Sequence, residues 1–204
     1  DGLDALVALG SRNPHAVRVV VGERWLVNDL VNAWAPLGFR PRLSREQIAY
    51  TVDQDTFVEA RPPLELRPAE LSDLEQVVSA SAEMAREEAG DDPQARNPKL
   101  FRQRIKERLG RGRDFICTRD EALVFKSNVA ALSAFGGQIE GIFVPRNHRG
   151  RSLGLSGTQW VTRWILDRSH RATLLVNDDN SSARSIYERL GYTPTHESRT
   201  IFFS

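Results

Sequence analysis

A mixed α/β fold is expected for this 204-residue chain, and three observations predict it. Short apolar runs at strand period alternate with amphipathic stretches at helix period from residue 64 onward. Polar loops rich in Gly, Ser or Asn open helices directly after apolar strands, in 141–154 and again near Asn180. A pattern of Leu-Gly-aromatic-x-Pro closes a helix twice, at Leu37 to Pro41 and at Leu190 to Pro194.

Taken in order, Val17 to Val21 reads as a strand and Arg24 to Trp34 as a helix. Arg61-Pro62-Pro63 is the boundary, because proline before proline forces extended backbone. It divides a small α/β segment, 1–61, from a larger domain, 62–204. Leu64 to Arg67 is a short strand candidate. Ala69 to Ala89 follows as a helix, with Leu71, Leu74, Val77, Val78 and Met84 on one stripe. The next helix has Asn97 as N-cap, Pro98 at its first position, Phe101, Ile105 and Leu109 inward, and Gly110 as stop. Strands are expected near Asp114 to Thr118, Ala122 to Leu132 and Gln138 to Val144. A helix carrying Leu155, Trp160, Val161, Trp164 and Ile165 comes next, its tryptophans at core spacing. Residues 172 to 192, ATLLVNDDNSSARSIYERLGY, then give a strand, an Asn-rich turn, a short helix and the start of a last pair of strands.

Composition narrows the function. The chain carries 28 basic and 27 acidic residues, which excludes a dedicated nucleic-acid binder and makes the basic cluster at 146–151 a local feature. No apolar run approaches the ~20 residues of a membrane span, and no signal-peptide pattern is present. A lone cysteine, Cys117, permits no intrachain disulfide and fits a reducing cytoplasm. The scattered histidines form no metal-ligand spacing, so no metal is expected. The chain opens at Asp1 without a methionine, as a trimmed sequence would.

The most informative stretch is GIFVPRNHRGRSLG, residues 141 to 154. An apolar strand stops at Pro145, a basic loop follows, and Arg149-Gly150-Arg151-Ser152-Leu153-Gly154 opens a helix. Gly and Ser there leave backbone N–H groups uncovered at the positive end of the helix dipole, which makes a phosphate cradle. This segment resembles the acyl-CoA-binding signature of the GNAT acetyltransferase superfamily: a strand, a Pro, then Arg or Gln-x-x-Gly-x-Gly or Ala. Ser152 stands where that family usually has its first motif glycine. The departure is mild if Ser152 adopts helical dihedrals, and matters only if the backbone there needs positive φ or if its Oγ crowds the pyrophosphate. A second match lies at Asn180, Ala183, Tyr187, Gly191 and Tyr192, which resembles the family's Asn-x-x-Ala helix, its tyrosine and the Gly-aromatic entry to the next strand. The resemblance covers residues 64 to 204 and implies the GNAT acyl-CoA N-acyltransferase fold.

It also implies a reaction: transfer of an acetyl group from acetyl-CoA to an amine by direct attack in a ternary complex. The backbone of Arg149, Gly150, Arg151, Ser152, Leu153, Gly154 and Leu155 would hold the pyrophosphate. Ile142, Phe143 and Val144 would line the thioester, with the N–H of Phe143 or Val144 polarising its carbonyl. Asn180 and Ala183 would contact the cofactor arm, and Tyr187 would protonate the leaving thiolate. Glu140 is the first choice for base, since strand alternation places it on one face with Ile142 and Val144. Glu83, Glu87 and Glu88, at the end of the first helix, would attract a cationic acceptor. The acceptor stays open among small amines, peptide N-termini and lysines, and the chain is expected as a monomer or homodimer. The alternative reading is a non-catalytic module that binds acyl-CoA as a sensor or scaffold.

Residues before the boundary repeat the end of the chain. Trp34-Ala35-Pro36-Leu37-Gly38-Phe39-Arg40-Pro41 matches Tyr187-Glu188-Arg189-Leu190-Gly191-Tyr192-Thr193-Pro194 position for position. Ile48 and Tyr50 sit at the same offset as Ile201 and Phe203. The N-terminal segment is therefore expected to be a degenerate, partial GNAT-like copy with no cradle, and with Trp34 in place of Tyr187.

Overall fold

The structure, a computed structural model, describes residues 2–12, 17–90 and 92–203. In chain order the elements are α1 (Gly2–Arg12), β1 (Val19–Glu23), α2 (Arg24–Trp34), β2 (Pro41–Asp53), β3 (Arg67–Pro68), α3 (Leu74–Ala89), α4 (Pro93–Arg96), α5 (Pro98–Leu109), β4 (Asp114–Arg119), β5 (Ala122–Leu132), β6 (Gly137–Phe143), α6 (Leu153–Leu166), β7 (Arg171–Asn177), α7 (Ser181–Arg189) and β8 (Thr193–Phe203). The mixed α/β class is as expected. The chain forms two compact units. The larger holds Thr51–Leu174 and Arg184–Thr193; the smaller takes the chain up to Tyr50, Leu175–Ala183, and the residues from Pro194 on.

In the larger unit the strands lie in the order β7-β6-β5-β4-β3. Strands β3 to β6 are antiparallel neighbours, and β7 runs parallel to β6, reached through the crossover helix α6. The β4–β5 hairpin turns on Asp120 and Glu121, both at positive φ, as its two-residue loop requires. Asn97 caps α5 by accepting the Leu100 N–H at 3.0 Å, as its sequence announces. The helix expected from Ala69 begins later, at Leu74. Asp73 accepts the Glu70 N–H and a two-pronged contact from Arg67 at 2.7 and 2.8 Å, which holds residues 71–73 in a tighter 3₁₀ turn. Leu71 is consequently exposed, while Leu74, Val77 and Val78 enter the core with Ile105, Leu109, Ile116 and Phe143. Leu64, expected on a strand, donates its N–H to the Ser156 carbonyl and packs on Val124, Phe125 and Leu153 instead. Trp160 and Trp164 are half-buried, against the Phe115 ring at 5.1 and 4.9 Å.

In the smaller unit the order is β1-β8-β2, with β1 antiparallel to β8 from Val19 opposite Phe202 to Glu23 opposite Ser198. Its core gathers Val27, Leu30, Trp34, Phe39, Ile201 and Phe203. Helix α1, which periodicity does not announce, lies along α2 at Gly10, where a Cβ would fall 2.3 Å from the Trp34 ring. No described helix is long and apolar enough to cross a membrane.

Candidate active site

Strand β6 is bent by a bulge, and the bulge reorders the expected site. Asn128 of β5 faces Glu140, but Lys126 faces Phe143, so β6 carries one residue more than its partner. Gly141 absorbs the difference at φ +63, a conformation that favours glycine, and a Cβ there would lie 2.6 Å from Asn128 Oδ1. The parity of the strand flips across it. Glu140 therefore shares a face with Phe143, not with Ile142 and Val144 as simple alternation gives. Phe143 joins the core under α3 and α5, whereas Ile142 and Val144 pack toward Leu64, Phe125 and Leu153. Glu140 keeps access to solvent and accepts a hydrogen bond from Gln138 at 3.1 Å. Enough protein still surrounds it that desolvation pushes its carboxyl above the ordinary range, against an opposing pull from Arg108.

Two β5 side chains donate to backbone carbonyls at the bulge. Ser127 Oγ donates to the Glu140 carbonyl at 3.2 Å, and Lys126 Nζ donates to the Gly141 carbonyl at 3.0 Å. Lys126 is only 2% exposed. Its amine lies 3.8 Å from Met84 Sδ and 6.0 Å from the centre of the Phe143 ring. Burial, helped by Arg108, pulls the ammonium down to about 7, against Asp114 and Glu88. The sequence reading takes Ala122 to Leu132 as a strand and gives this residue no role. The signal was present, as three consecutive polar residues, Lys126-Ser127-Asn128, in mid-strand, all of them buried.

Beyond the bulge the strand leads into the cradle. Within the larger unit β6 pairs with β7 through Gly137, Gln138 and Ile139. After Pro145 the chain makes a 3₁₀ turn, Arg146–His148, then Gly150 at φ +75 and Ser152 at φ +59. The backbone at Ser152 does require positive φ, so the serine is strained there rather than helical, and its side chain makes no capping bond. The first bond of α6 runs from the Ser156 N–H to the Ser152 carbonyl. The N–H groups of Leu153, Gly154 and Leu155 precede it, at the positive end of the helix. Leu153 and Leu155 bury their side chains, so only their backbone can serve a ligand. Gly154 lets α7 approach, since a Cβ there would already touch Ile186 Cδ1 at 3.4 Å.

The cradle arginines differ. Arg149 Nε donates to the Val144 carbonyl at 2.9 Å, its Nη2 pairs with Glu87 at 2.6 Å, and its guanidinium sits over the Phe143 ring. Arg146 pairs with the other Glu87 oxygen at 2.6 Å. Burial raises the Glu87 carboxyl, but the two guanidiniums together hold it below its ordinary range. Glu87 is thus occupied by the cradle instead of facing an acceptor. Arg151 is exposed and makes no ion pair among the described residues.

Tyr187, on the part of α7 that belongs to the larger unit, is 7% exposed, with its ring 6.0 Å from that of Tyr192. Burial, with the negative charge of Glu88 adding to it, pushes its phenol well above the ordinary value. Glu88 acts on Lys126 and Tyr187 alike, which places all three in one electrostatic neighbourhood at the end of α3. Glu83 is half-buried and within electrostatic reach of Arg146. Asn180 and Ala183 belong to the smaller unit, where Asn180 Oδ1 accepts the Ala183 N–H at 3.0 Å and so caps α7. Cys117 is half-buried, and burial raises its thiol, as suits packing. Among the described residues no group of three or more His, Cys, Asp or Glu could hold a metal ion.

Comparison with known proteins agrees with this architecture. Residues 128–201 match the family described as FR47-like protein, which is related to the GNAT acetyltransferases. No curated protein sequence matches the chain. Among solved structures, a GNAT-family acetyltransferase from Colwellia psychrerythraea superimposes with a TM-score of 0.64 at 12% identity, over 100% of this chain and 72% of that one. A predicted acetyltransferase from Clostridium acetobutylicum, solved with acetyl-CoA, gives 0.53 at 16%, over 64% of this chain and 90% of that one. A tandem GNAT protein from the clavulanic acid biosynthesis pathway gives 0.55 at 17%, over 85% and 57%. In architecture throughout, and in sequence over residues 128–201, the chain resembles the GNAT N-acetyltransferase superfamily, whose fold it has.

Proposed function

We propose that this protein is an acetyl-CoA-dependent N-acetyltransferase, acting by direct attack of an amine on the thioester. The observation that carries the reading is the sequence of features along β6 and α6: a bulged strand, a proline stop, then uncovered N–H groups. The acetyl-CoA complex of the Clostridium acetobutylicum structure supports the choice of ligand. Leu153, Gly154 and Leu155 would meet the pyrophosphate with their N–H groups, with Arg151 free to add charge. The N–H groups of Ile142 to Val144 would face the charge that grows on the thioester oxygen.

The acid–base roles differ from a simple proton relay. A phenol raised well above 10 is a poor proton donor to a thiolate of ordinary pKa ~8.5. Tyr187 therefore stabilises the leaving thiolate by donating a hydrogen bond, and solvent supplies the proton. Glu140, raised by desolvation and open to solvent, suits a base for the incoming ammonium. Glu83 and Glu88 remain to attract a cationic acceptor, and the N-terminal 1–61 segment is a catalytically empty partial copy. The sensor reading draws support from one observation, the burial of Tyr187.

Calorimetric titration with acetyl-CoA, followed by thiol release over a panel of small amines and peptides, tests the proposal. Micromolar binding that weakens about tenfold in Arg151→Ala, together with turnover of at least one amine, is the expected result. Binding without turnover would favour the sensor. Absence of binding would sink both.

A further inference from the structure

Lys126 is a second unusual residue beside the bulge, and none of the roles above uses it. Its Nζ reaches the Gly141 carbonyl across the gap where the ladder slips. A trans peptide is planar, with its C=O and N–H pointing in opposite directions. Holding the Gly141 carbonyl toward Lys126 thus turns the Ile142 N–H away from it. A cationic donor on a carbonyl also polarises the whole peptide and strengthens the N–H at its other end.

We propose that Lys126 is a positioning residue that fixes and polarises the Gly141–Ile142 peptide, making the Ile142 N–H the donor to the acyl carbonyl. The proposal rests on the acetyltransferase reading for its chemical consequence, although the orientation of the peptide is a property of this chain alone. Lys126 acts through the backbone and, being buried, touches neither acceptor nor thioester. Its charge state is set by groups from every element packed around it: Arg108 of α5, Asp114 of β4 and Glu88 of α3, with Met84 and the Phe143 ring supplying apolar walls. Asp114 is itself tied to Arg108 at 2.7 Å, so the stronger of the two opposing negative charges is already shared. The ammonium is present below about pH 7 and neutral above it. Polarisation of the peptide follows the same titration.

The test is a Lys126→Met variant, close in shape but without a donor, compared with Lys126→Gln, which keeps a neutral donor. Two measurements separate the proposal from the function beneath it. In the wild type, the ¹⁵N resonance of Ile142 should titrate with a midpoint near pH 7, and that titration should vanish in both variants. In acetyl-transfer assays, kcat of Lys126→Met should fall about tenfold, a fraction of what deleting an oxyanion donor costs, with the KM for acetyl-CoA nearly unchanged. Lys126→Gln should recover part of the loss. The ratio of wild-type to Met-variant kcat should be largest below pH 7 and shrink as pH rises through it. An Ile142 resonance indifferent to pH, or a pH-independent ratio of one, overturns the proposal. Titration of Ile142 with no turnover of any amine by the wild type would keep the peptide coupling and sink the acetyltransferase reading.

Discussion

The turn at Leu37-Gly38-Phe39 and the turn at Leu190-Gly191-Tyr192 are built alike. Each follows a helix, and each places its glycine in the left-handed region, at φ +91 and +84. In each, the aromatic after the glycine meets the ring five positions earlier: Phe39 on Trp34 at 4.7 Å, Tyr192 on Tyr187 at 6.0 Å. The surroundings differ. Trp34 stacks nearly flat on Phe39, meets Phe203 edge-on, and spends its one donor on the Val7 carbonyl. The tyrosine pair keeps its hydroxyls in a buried setting, with Tyr192 and Thr162 sharing a 2.8 Å hydrogen bond. The helix ahead of the first copy starts at Glu23 without a side-chain cap, whereas Asn180 caps the second. A shared pattern fixes the backbone of a turn. Whether its rings become packing or chemistry depends on what the rest of the chain brings to them.

The glycines offer the hardest test of that comparison. A Cβ on Gly191 would fall 1.9 Å from the Thr56 carbonyl oxygen, while one on Gly38 meets nothing within 4 Å. Gly38→Ala should lose only the cost of a left-handed alanine, about 1–2 kcal/mol, and Gly191→Ala about 4 kcal/mol, since backbone must move as well. Chemical denaturation of both variants decides it, and equal losses would break the distinction. The rings come next. Tyr187→Phe should cut turnover about 10- to 100-fold with acetyl-CoA affinity nearly intact, the cost of a hydrogen bond made to the leaving group. Trp34→Phe should lose about 1–2 kcal/mol of stability and leave turnover alone. Loss of turnover in both would mean that the first copy also serves the chemistry.

Much of this was legible in the residues, for reasons that differ by position. Asn97-Pro98 and Gly110 bounded α5 because caps are local chemistry. The loop that opens α6 was legible because Pro145 and Gly150 act on their own backbone. The bulge was not, since its cause is Gly141 meeting Asn128 and Lys126 across a strand, and no alternation count reveals a slipped register. Glu140 landed on the wrong face for that reason. Glu87 was read as free because its arginine partners lie 59 and 62 positions away. The start of α3 slipped from Ala69 to Leu74 because Arg67 and Asp73 close a turn that propensity does not foresee.

Alkaline titration sharpens the comparison further. Burial raises the phenols of Tyr187 and Tyr192 above their ordinary value near 10, although Thr162 pulls the latter partway back. For groups raised in the folded state, the associated stability is whole below the unfolded pKa and is lost as pH climbs past it. Stability should therefore decline from about pH 10 upward, by up to about 1.4 kcal/mol per pH unit for each phenol. Tyr187→Phe should flatten that decline, and Trp34→Phe should leave it unchanged, because neither an indole nor a phenyl ring loses a proton in that range. Denaturant midpoints measured from pH 9 to 11 would reveal either outcome.

A third left-handed residue extends the comparison from the two turns to the cradle. Ser152 adopts φ +59 without the glycine that Gly38 and Gly191 supply, and no capping bond of its side chain offsets the strain. Ser152→Gly removes about 1–2 kcal/mol of conformational strain and returns about 0.5–1 kcal/mol as extra freedom of the unfolded chain. The net gain should be at most about 1.5 kcal/mol, a rise of no more than about 3–6 °C in Tm for a protein of this size. Affinity for acetyl-CoA should rise or hold, since the change leaves every N–H of the cradle in place and removes a side chain beside them. A fall in affinity would instead mean that the serine hydroxyl binds the ligand, making Ser152 a specific feature of this cradle and no longer a strained substitute for glycine.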